Sequence, residues 1–397
     1  MAPVRYIGID IHKRQVVVAA VNSKQELILS PRKVSVSEFE AWADTHLLPT
    51  DHIALEATAN AWEFHDLLSP MVSCVQVANS HKLRLISASS RKTDKHDALV
   101  LAKLLAAHLL PAVWVPPQHV RELRQLTRHR SQLVSQKSSV RNRLHAILHR
   151  HNLKAPKGQP FSLANEQWWT DLPLSPVEQL QVRHYWQTLH HLSQLITETE
   201  TMIAQFSVAD EWAEPITFLI QMSGIGLYSG MTILAAIGDI SRFPAASQLV
   251  GYAGLGARVR ESGDTLRTGG ISKQGRRELR TILITCAWLA VHYSDYWRSV
   301  FQPLAHRIGK HKAITAVARK MLVAIWYILT QQETDRHADP ETVARSFMNW
   351  ASLHHLARSQ NLHRLDFVRQ RLRLIGLSDR VTSFQANGRT HHLVPAT

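Results

Sequence analysis

The chain is poor in cysteine: Cys74 and Cys286 are the only two, each standing alone among apolar neighbours. Neither a disulfide framework nor a cysteine-built zinc site can be made from them, and both are expected in the core. Long apolar runs are missing too. No stretch approaches the roughly eighteen unbroken apolar residues that a membrane-spanning helix requires, and residues 1–10 hold no apolar leader ahead of a small-residue cleavage site. Membrane insertion and export are therefore not expected. Acids are scarce beside bases: 31 Asp plus Glu stand against 46 Lys plus Arg, for a formal net charge of +15 with 24 histidines in reserve. A surface of that sign seeks polyanions, and with membranes set aside the reading is a cytoplasmic protein that faces nucleic acid.

What is present is ordinary for a folded chain: 45% hydrophobic and 19% charged residues exclude wholesale disorder. At 397 residues the chain is longer than one hydrophobic core usually serves. Patterning divides it into four stretches. In residues 1–115, β-rich runs at 6–10, 16–21 and 27–29 suggest an antiparallel meander, and shorter apolar runs follow at 53–55 and 75–77. Trp62, Leu67 and Leu68 carry a helical pattern between those two, and another helix begins near Thr93. Pro111, Pro116 and Pro117 close the stretch. This order is the one expected of an RNase H-like α/β domain, although other α/β folds share it.

In residues 116–210, Leu123, Leu126, Leu133, Val140, Leu144 and Ile147 fall on a heptad seam, and Val182, Leu189, Leu192, Ile196 and Ile203 repeat it. Two coiled-coil helices of about 30 residues, each about 45 Å long, could pack as a hairpin or pair with a second copy of the chain. Residues 211–345 read as mostly helical around a glycine-punctuated centre at 251–275, and residues 346–397 as a basic helical extension whose polar tail from Phe384 is expected to be loose. The fold class is thus α/β followed by all-α.

Four carboxylates stand out. Asp10 ends the alternating run 6–10, Glu56 follows the apolar run 53–55, and Asp94 and Asp97 lie three apart in the first turn of a helix and share a face. Singly, each has an ordinary explanation: acids favour helix N-termini, and aspartate ends strands as a turn residue. Together, two acids at strand ends and two on one helix face would suit one or two Mg²⁺ or Mn²⁺ ions, which could stabilise the attacking and leaving oxygens of an in-line phosphoryl transfer.

The glycine-punctuated centre carries Arg258, Arg260, Arg267, Lys273, Arg276 and Arg277 around Ser262-Gly263, a composition that lets backbone and guanidinium groups approach phosphate. Chemistry alone does not choose a nucleophile there, since Ser229, Ser247, Ser262 and Ser272 are all candidates and most serines in such loops satisfy turns. Gly224-Ile225-Gly226 suits a helix-hairpin-helix turn that could hold a phosphate, and a plain interhelical turn equally well. Arg121, Arg124, Arg128, Arg141 and Arg143 line the first long helix with a single acid, Glu122, among its bases, and are expected to grip a nucleic-acid backbone. The histidines are scattered or directly adjacent, as at His190-His191, and are read as surface groups.

The motifs Gly8-Ile9-Asp10-Ile11-His12-Lys13, Glu56-Ala57-Thr58 and Lys92-Thr93-Asp94-Lys95-His96-Asp97-Ala98 resemble the Asp, Glu, Asp, Asp set of the insertion-sequence transposases of family one-ten and of the Piv-type DNA invertases. Asn79-Ser80 departs from the Asn-Pro common in that family. The blocks Ser223-Gly224-Ile225-Gly226, Gly251-Tyr252-Ala253-Gly254-Leu255 and Gly270-Ile271-Ser272-Lys273 resemble the family's C-terminal domain, although Ser223 and Leu227 stand where it usually has proline. The resemblance implies a RuvC-like first domain with Asp10, Glu56, Asp94 and Asp97 at a divalent-metal site. It assigns Ser262 as the catalytic serine, with Ser272 as the fallback.

It further implies a prokaryotic, nucleoid-associated recombinase that acts on donor and target DNA, guided by a structured bridge RNA. The active complex would be a homo-oligomer, a dimer or tetramer, in which acids of one subunit meet the serine of another. Rival readings are a site-specific invertase of the same chemistry, a junction nuclease in which Ser262 is structural, and a non-enzymatic nucleic-acid scaffold.

Overall fold

The computed structural model describes residues 4–86, 93–262 and 265–393; at residues 84, 259–262 and 265–268 it describes the backbone alone. The chain forms two compact units, Met1–Pro117 and Gln118–Thr397.

The first unit is a mixed sheet between helices. Strands β1 (Tyr6–Ile11), β2 (Gln15–Val21) and β3 (Leu27–Ser35) run antiparallel; helix α1 (Phe39–His46) leads to β4 (His52–Glu56), and α2 (Ala61–Leu68) to β5 (Cys74–Ala78). Helices α3 (Ser80–Ile86) and α4 (Asp94–Ala106) and the short β6 (Ala112–Val113) complete it. The sheet order is β3-β2-β1-β4-β5-β6, with β1, β4 and β5 parallel and β6 antiparallel to β5. The meander is as expected. β3 extends well past residue 29 because it lies at the sheet edge, where Pro31 removes no needed ladder bond.

Both sheet faces are covered, which explains why β1 and β2 read as near-continuous apolar runs. On one face Ile7, Ile9, Val16 and Val18 pack with Phe39, Trp42, Phe64 and Leu68 from α1 and α2. On the other, Val17, Ala19 and Val21 meet Ala98, Ala102 and Ala106, a row of small side chains on α4. Helix α1 was absent from the expected elements, although Phe39, Trp42 and Ala43 have helical spacing and are buried.

The second unit opens with α5 (Gln118–Arg150), then α6 (Glu166–Thr170) and α7 (Pro176–Phe206), the last capped by Ser175, which accepts from the Glu178 amide, with Pro176 at its first position. Leu133, Val140, Leu144 and Ile147 of α5 pack with Val182, Trp186, Leu189 and Ile196 of α7 around Trp169. The two long helices therefore form a hairpin within one chain. Helices α8 (Asp210–Ile220), α9 (Leu227–Ile237) and α10 (Ala246–Tyr252) follow, then strands β7 (Ala257–Ser262) and β8 (Thr265–Ile271), and helices α11 (Arg277–Tyr293), α12 (Asp295–Ile308) and α13 (Lys310–Gln331). Helices α14 (Pro340–Ser352), α15 (Leu356–Ser359) and α16 (Arg364–Leu374) precede strands β9 (Ser383–Ala386) and β10 (Arg389–His392).

Two expectations need correction here. The glycine-punctuated centre at 251–275, in a stretch read as mostly helical, holds the antiparallel hairpin β7–β8, in which Val259 pairs with Thr268 and Ser262 with Thr265. The tail from Phe384 is not loose either, since β9 and β10 pair and Phe384, Ala386 and Leu393 are buried. Helix α13 is long and apolar enough to cross a membrane by length and composition. Here Ala313, Val317, Met321 and Ile325 bury one of its faces within the unit.

Candidate functional site

Strand β1 delivers Asp10 immediately after Ile9, and Ile9 pairs with Leu55 of the parallel neighbour β4, so Glu56 follows at the same sheet edge. Helix α4 brings the other two acids. Its N-cap Thr93 accepts from the His96 amide, which starts the helix at Asp94 and sets Asp94 and Asp97 in its first turn. The helix can lie directly on β1 because Gly8 has no side chain: a Cβ there would stand 2.0 Å from the Ala98 carbonyl oxygen and 2.6 Å from the Ala102 nitrogen. Gly8 thus lets α4, which starts at Asp94, lie close against the strand that carries Asp10.

At the centre, His12 Nε2 lies 3.1 Å from Asp10 Oδ2 and 3.5 Å from Asp94 Oδ1. One ligand atom from each of Asp10, His12 and Asp94 falls within 4.8 Å of the others. Asp10 is only 6% exposed. Burial pushes its carboxyl above the ordinary range; the nearby charges of Asp97 and Glu56 push the same way, and His12 opposes them. All four expected acids therefore act on one place, with Asp97 and Glu56 outside the tightest group. His12 was read as a surface group and is instead a member of this site. The available signal was its position two residues after Asp10, just past the end of β1.

In the second unit, Ser262 ends β7 and pairs with Thr265 across the tip of the hairpin. Its side chain and that of Arg260 lie outside the described residues, as do Lys92, Gly263 and Asp264. Ser229 is occupied: its hydroxyl donates to the Gly226 carbonyl and accepts from the Gly226 amide, capping α9. The Gly224 turn, at φ +87°, packs so closely on α11 that a Cβ would meet the Cys286 carbonyl at 2.4 Å, which is the behaviour of a tight interhelical turn.

The expected basic contacts divide. Arg124 turns inward, its Nε donating to the Ala235 carbonyl at 2.7 Å and Nη2 to the Ala236 carbonyl at 3.1 Å, at the C-terminal end of α9. Burial and the neighbouring Arg276, Arg242 and Arg128 bring its pKa down to about 10. Its placement is that of a helix cap, whereas the sequence reading set it among the arginines that grip a nucleic-acid backbone. Arg276 donates to the Tyr252 hydroxyl at 2.9 Å, and Arg258 to the Ser272 carbonyl at 3.1 Å. Arg128 lies 3.7 Å from Glu278, and Arg121 is half-buried. Arg141 over Phe161, Arg143 over Tyr185, Lys273 and Arg277 are exposed.

Residues 7–153 match a family model described as a transposase, and residues 216–302 match one described as Transposase IS116/IS110/IS902 family. The transposase for insertion sequence element IS1111A of Coxiella burnetii is 23% identical over 347 residues, 85% of this chain and 92% of the relative. The pilin gene-inverting protein of Moraxella bovis is 28% identical over 345 residues, 82% and 96% of the two chains. A transposase-named protein of Sinorhizobium fredii, y4qE, is 32% identical over 197 residues, half of this chain and 47% of the relative. The chain thus spans about half of this last relative and nearly all of the other two. The class so defined is that of transposases and DNA invertases. The chain belongs to the IS110 family of transposases.

Proposed function

We propose that the chain is a DNA recombinase of the transposase type whose RNase H-like, RuvC-like first unit works with Mg²⁺ or Mn²⁺ at Asp10, Glu56, Asp94 and Asp97. The observation that carries this is the gathering of Glu56, Asp94 and Asp97 around Asp10. A buried carboxylate with the charges of two further acids beside it concentrates negative charge at the sheet edge, and that donor set fits a hard divalent cation. The sheet order β3-β2-β1-β4-β5 supports the fold assignment. A bound ion would supply Lewis-acid stabilisation to a phosphate oxygen. Asp10 and Glu56 from adjacent strands and Asp94 and Asp97 from α4 would hold it, and His12 would fix the orientation of Asp10 and Asp94.

Ser262 serves as the nucleophile in this reading. Its hydroxyl oxygen bonds to phosphorus while one bond from phosphorus to a deoxyribose oxygen breaks, and the serine proton ends on the departing sugar oxygen. The phosphoserine link conserves the bond energy for rejoining to another strand. Exposed cations including Arg277 and Lys273 beside the hairpin suit phosphate. A structured bridge RNA pairs with donor and target DNA in this reading, and the working assembly is a dimer or tetramer with acids and serine from different subunits.

The test is covalent trapping. Wild-type protein incubated with donor DNA and divalent metal should retain labelled DNA after denaturation, whereas Ser262→Ala and Asp10→Asn should not. Trapping that persists in Ser262→Ala removes the serine assignment, and metal-dependent cutting without any trapped species favours the junction nuclease. The inverting relative supports invertase as the second reading, with the same chemistry on different flanking DNA.

A further inference from the structure

The second unit contains a cleft of about 880 Å³ between α12, α13 and the segment that leads to α14. On α13, Ala316, Arg319, Lys320, Val323, Ala324 and Tyr327 line it at spacings of three and four, so they share one helix face. Small side chains keep that face open, two cations stand toward one end, and Tyr327, 49% exposed, stands toward the other. The cations and the tyrosine are about 10 Å apart along the helix. Across the cleft the ring of Tyr296 stacks on His337 with centroids 3.4 Å apart and planes within 14°.

The segment carrying His337 is fixed from below. Gln221, buried at the end of α8, donates to the Glu333 carbonyl at 3.3 Å and accepts from the Asp335 amide at 3.1 Å, while the Asp335 carboxylate accepts from the His337 amide at 3.2 Å. The aromatic wall is therefore built in advance. Arg336 adds a third cation to the lining, and Glu333 and Asp335 add carboxylates.

An apolar ligand would leave the cations unused, and a bare phosphate would leave the rings unused. A nucleotide uses both: a flat base for the tyrosines and the stacked histidine, exocyclic amino groups for the carboxylates, and a phosphate for the guanidinium and ammonium groups. The volume also lies within the usual range for a nucleotide-sized site. We propose that this cleft captures an unpaired nucleotide of a single nucleic-acid strand, with the base between Tyr327 and the Tyr296–His337 stack and its phosphate on Arg319, Lys320 or Arg336. The proposal is independent of the acidic site and of Ser262.

Full-length protein would be mixed with short single-stranded oligonucleotides, DNA and RNA, carrying 5-iodouracil, irradiated, and digested for mass spectrometry. Crosslinks are expected at Tyr296, Tyr327 or His337. Tyr327→Ala should abolish the Tyr327 crosslink and weaken single-strand binding about tenfold, with duplex binding unchanged and Tyr327→Phe behaving as wild type. Crosslinks confined to other segments, or an equal loss for duplex and single strand, would overturn the proposal. Asp10→Asn should crosslink as wild type does, so failure of the recombinase reading would leave this result intact.

Discussion

At the scale of single residues, environment decides the role of a side chain more than its type does. Asp10 and Asp339 are both aspartates beside backbone turns, yet Asp339 is exposed and accepts from the Thr342 amide as a helix cap, whereas Asp10 is buried with acids around it. In Asp10→Asn the volume is kept and one buried charge is removed, so folding should hold while metal-dependent cutting is lost. Circular dichroism melting alongside a cleavage assay separates the two, and full cutting by the variant would contradict the site. Arg124 gives the converse case. Two charge-assisted bonds to the end of α9 are together worth about 3 kcal/mol or more, so Arg124→Ala should lower stability in urea by about that amount. DNA affinity should stay within about twofold once the variant is folded; a large affinity loss at unchanged stability would make it a contact after all. Cys286 is buried and its thiol is pushed up to about 11, chiefly by burial. Since the thiolate is the reactive form, iodoacetamide at neutral pH should label Cys74 in the native protein and Cys286 only after denaturation, which peptide mapping reads directly.

At the scale of elements, close approach and side-chain volume govern the outcome. Helix α4 sits on β1 at a separation that only glycine allows, and overpacking against backbone costs about 3 kcal/mol or more because backbone cannot rotate away. Gly8→Ala should therefore push the Asp94 turn away from Asp10, lowering both the melting temperature and the affinity for Mn²⁺ measured by calorimetry. An unchanged melting temperature would show that α4 does not need this contact. In the helical hairpin, Trp186 is 4% exposed and packs at a tilt against Trp169, but its indole nitrogen has no hydrogen-bond partner among the described residues. Trp186→Ala should cost about 3–5 kcal/mol through the cavity it leaves, while Trp186→Phe removes the unsatisfied donor and should cost about 1 kcal/mol or less. Comparison of the two in chemical denaturation tests whether the hairpin is held by volume or by the polar atom. Two hairpins were harder to read from sequence than the long helices. Strands β7 and β8 carry polar side chains among glycines, and β9 and β10 hide a single alternation, Phe384 and Ala386 inward with Gln385 outward, within a polar tail.

At the scale of the whole molecule, an excess of fifteen positive charges couples binding to salt. DNA affinity should fall about a thousandfold between roughly 50 and 200 mM salt if six or so phosphates are neutralised, and a flat salt profile would argue against an extended backbone contact. The sequence by itself determined the sign of that charge, the strands of the meander and the two long helices, because composition and local periodicity are written residue by residue, and its motifs, not its composition, carried the resemblance to the family. It also supplied the four acids as candidates, through strand-end and helix-start positions that need only local pattern. Tertiary structure alone decided that these acids meet, since residues 10, 56, 94 and 97 come together only through the order β1-β4 in the sheet and the passage of α4 over Gly8. It likewise decided that His12 joins them and that Arg124 turns inward. Each of these depends on which atoms lie across a packed interface, and distance along the chain carries no record of that.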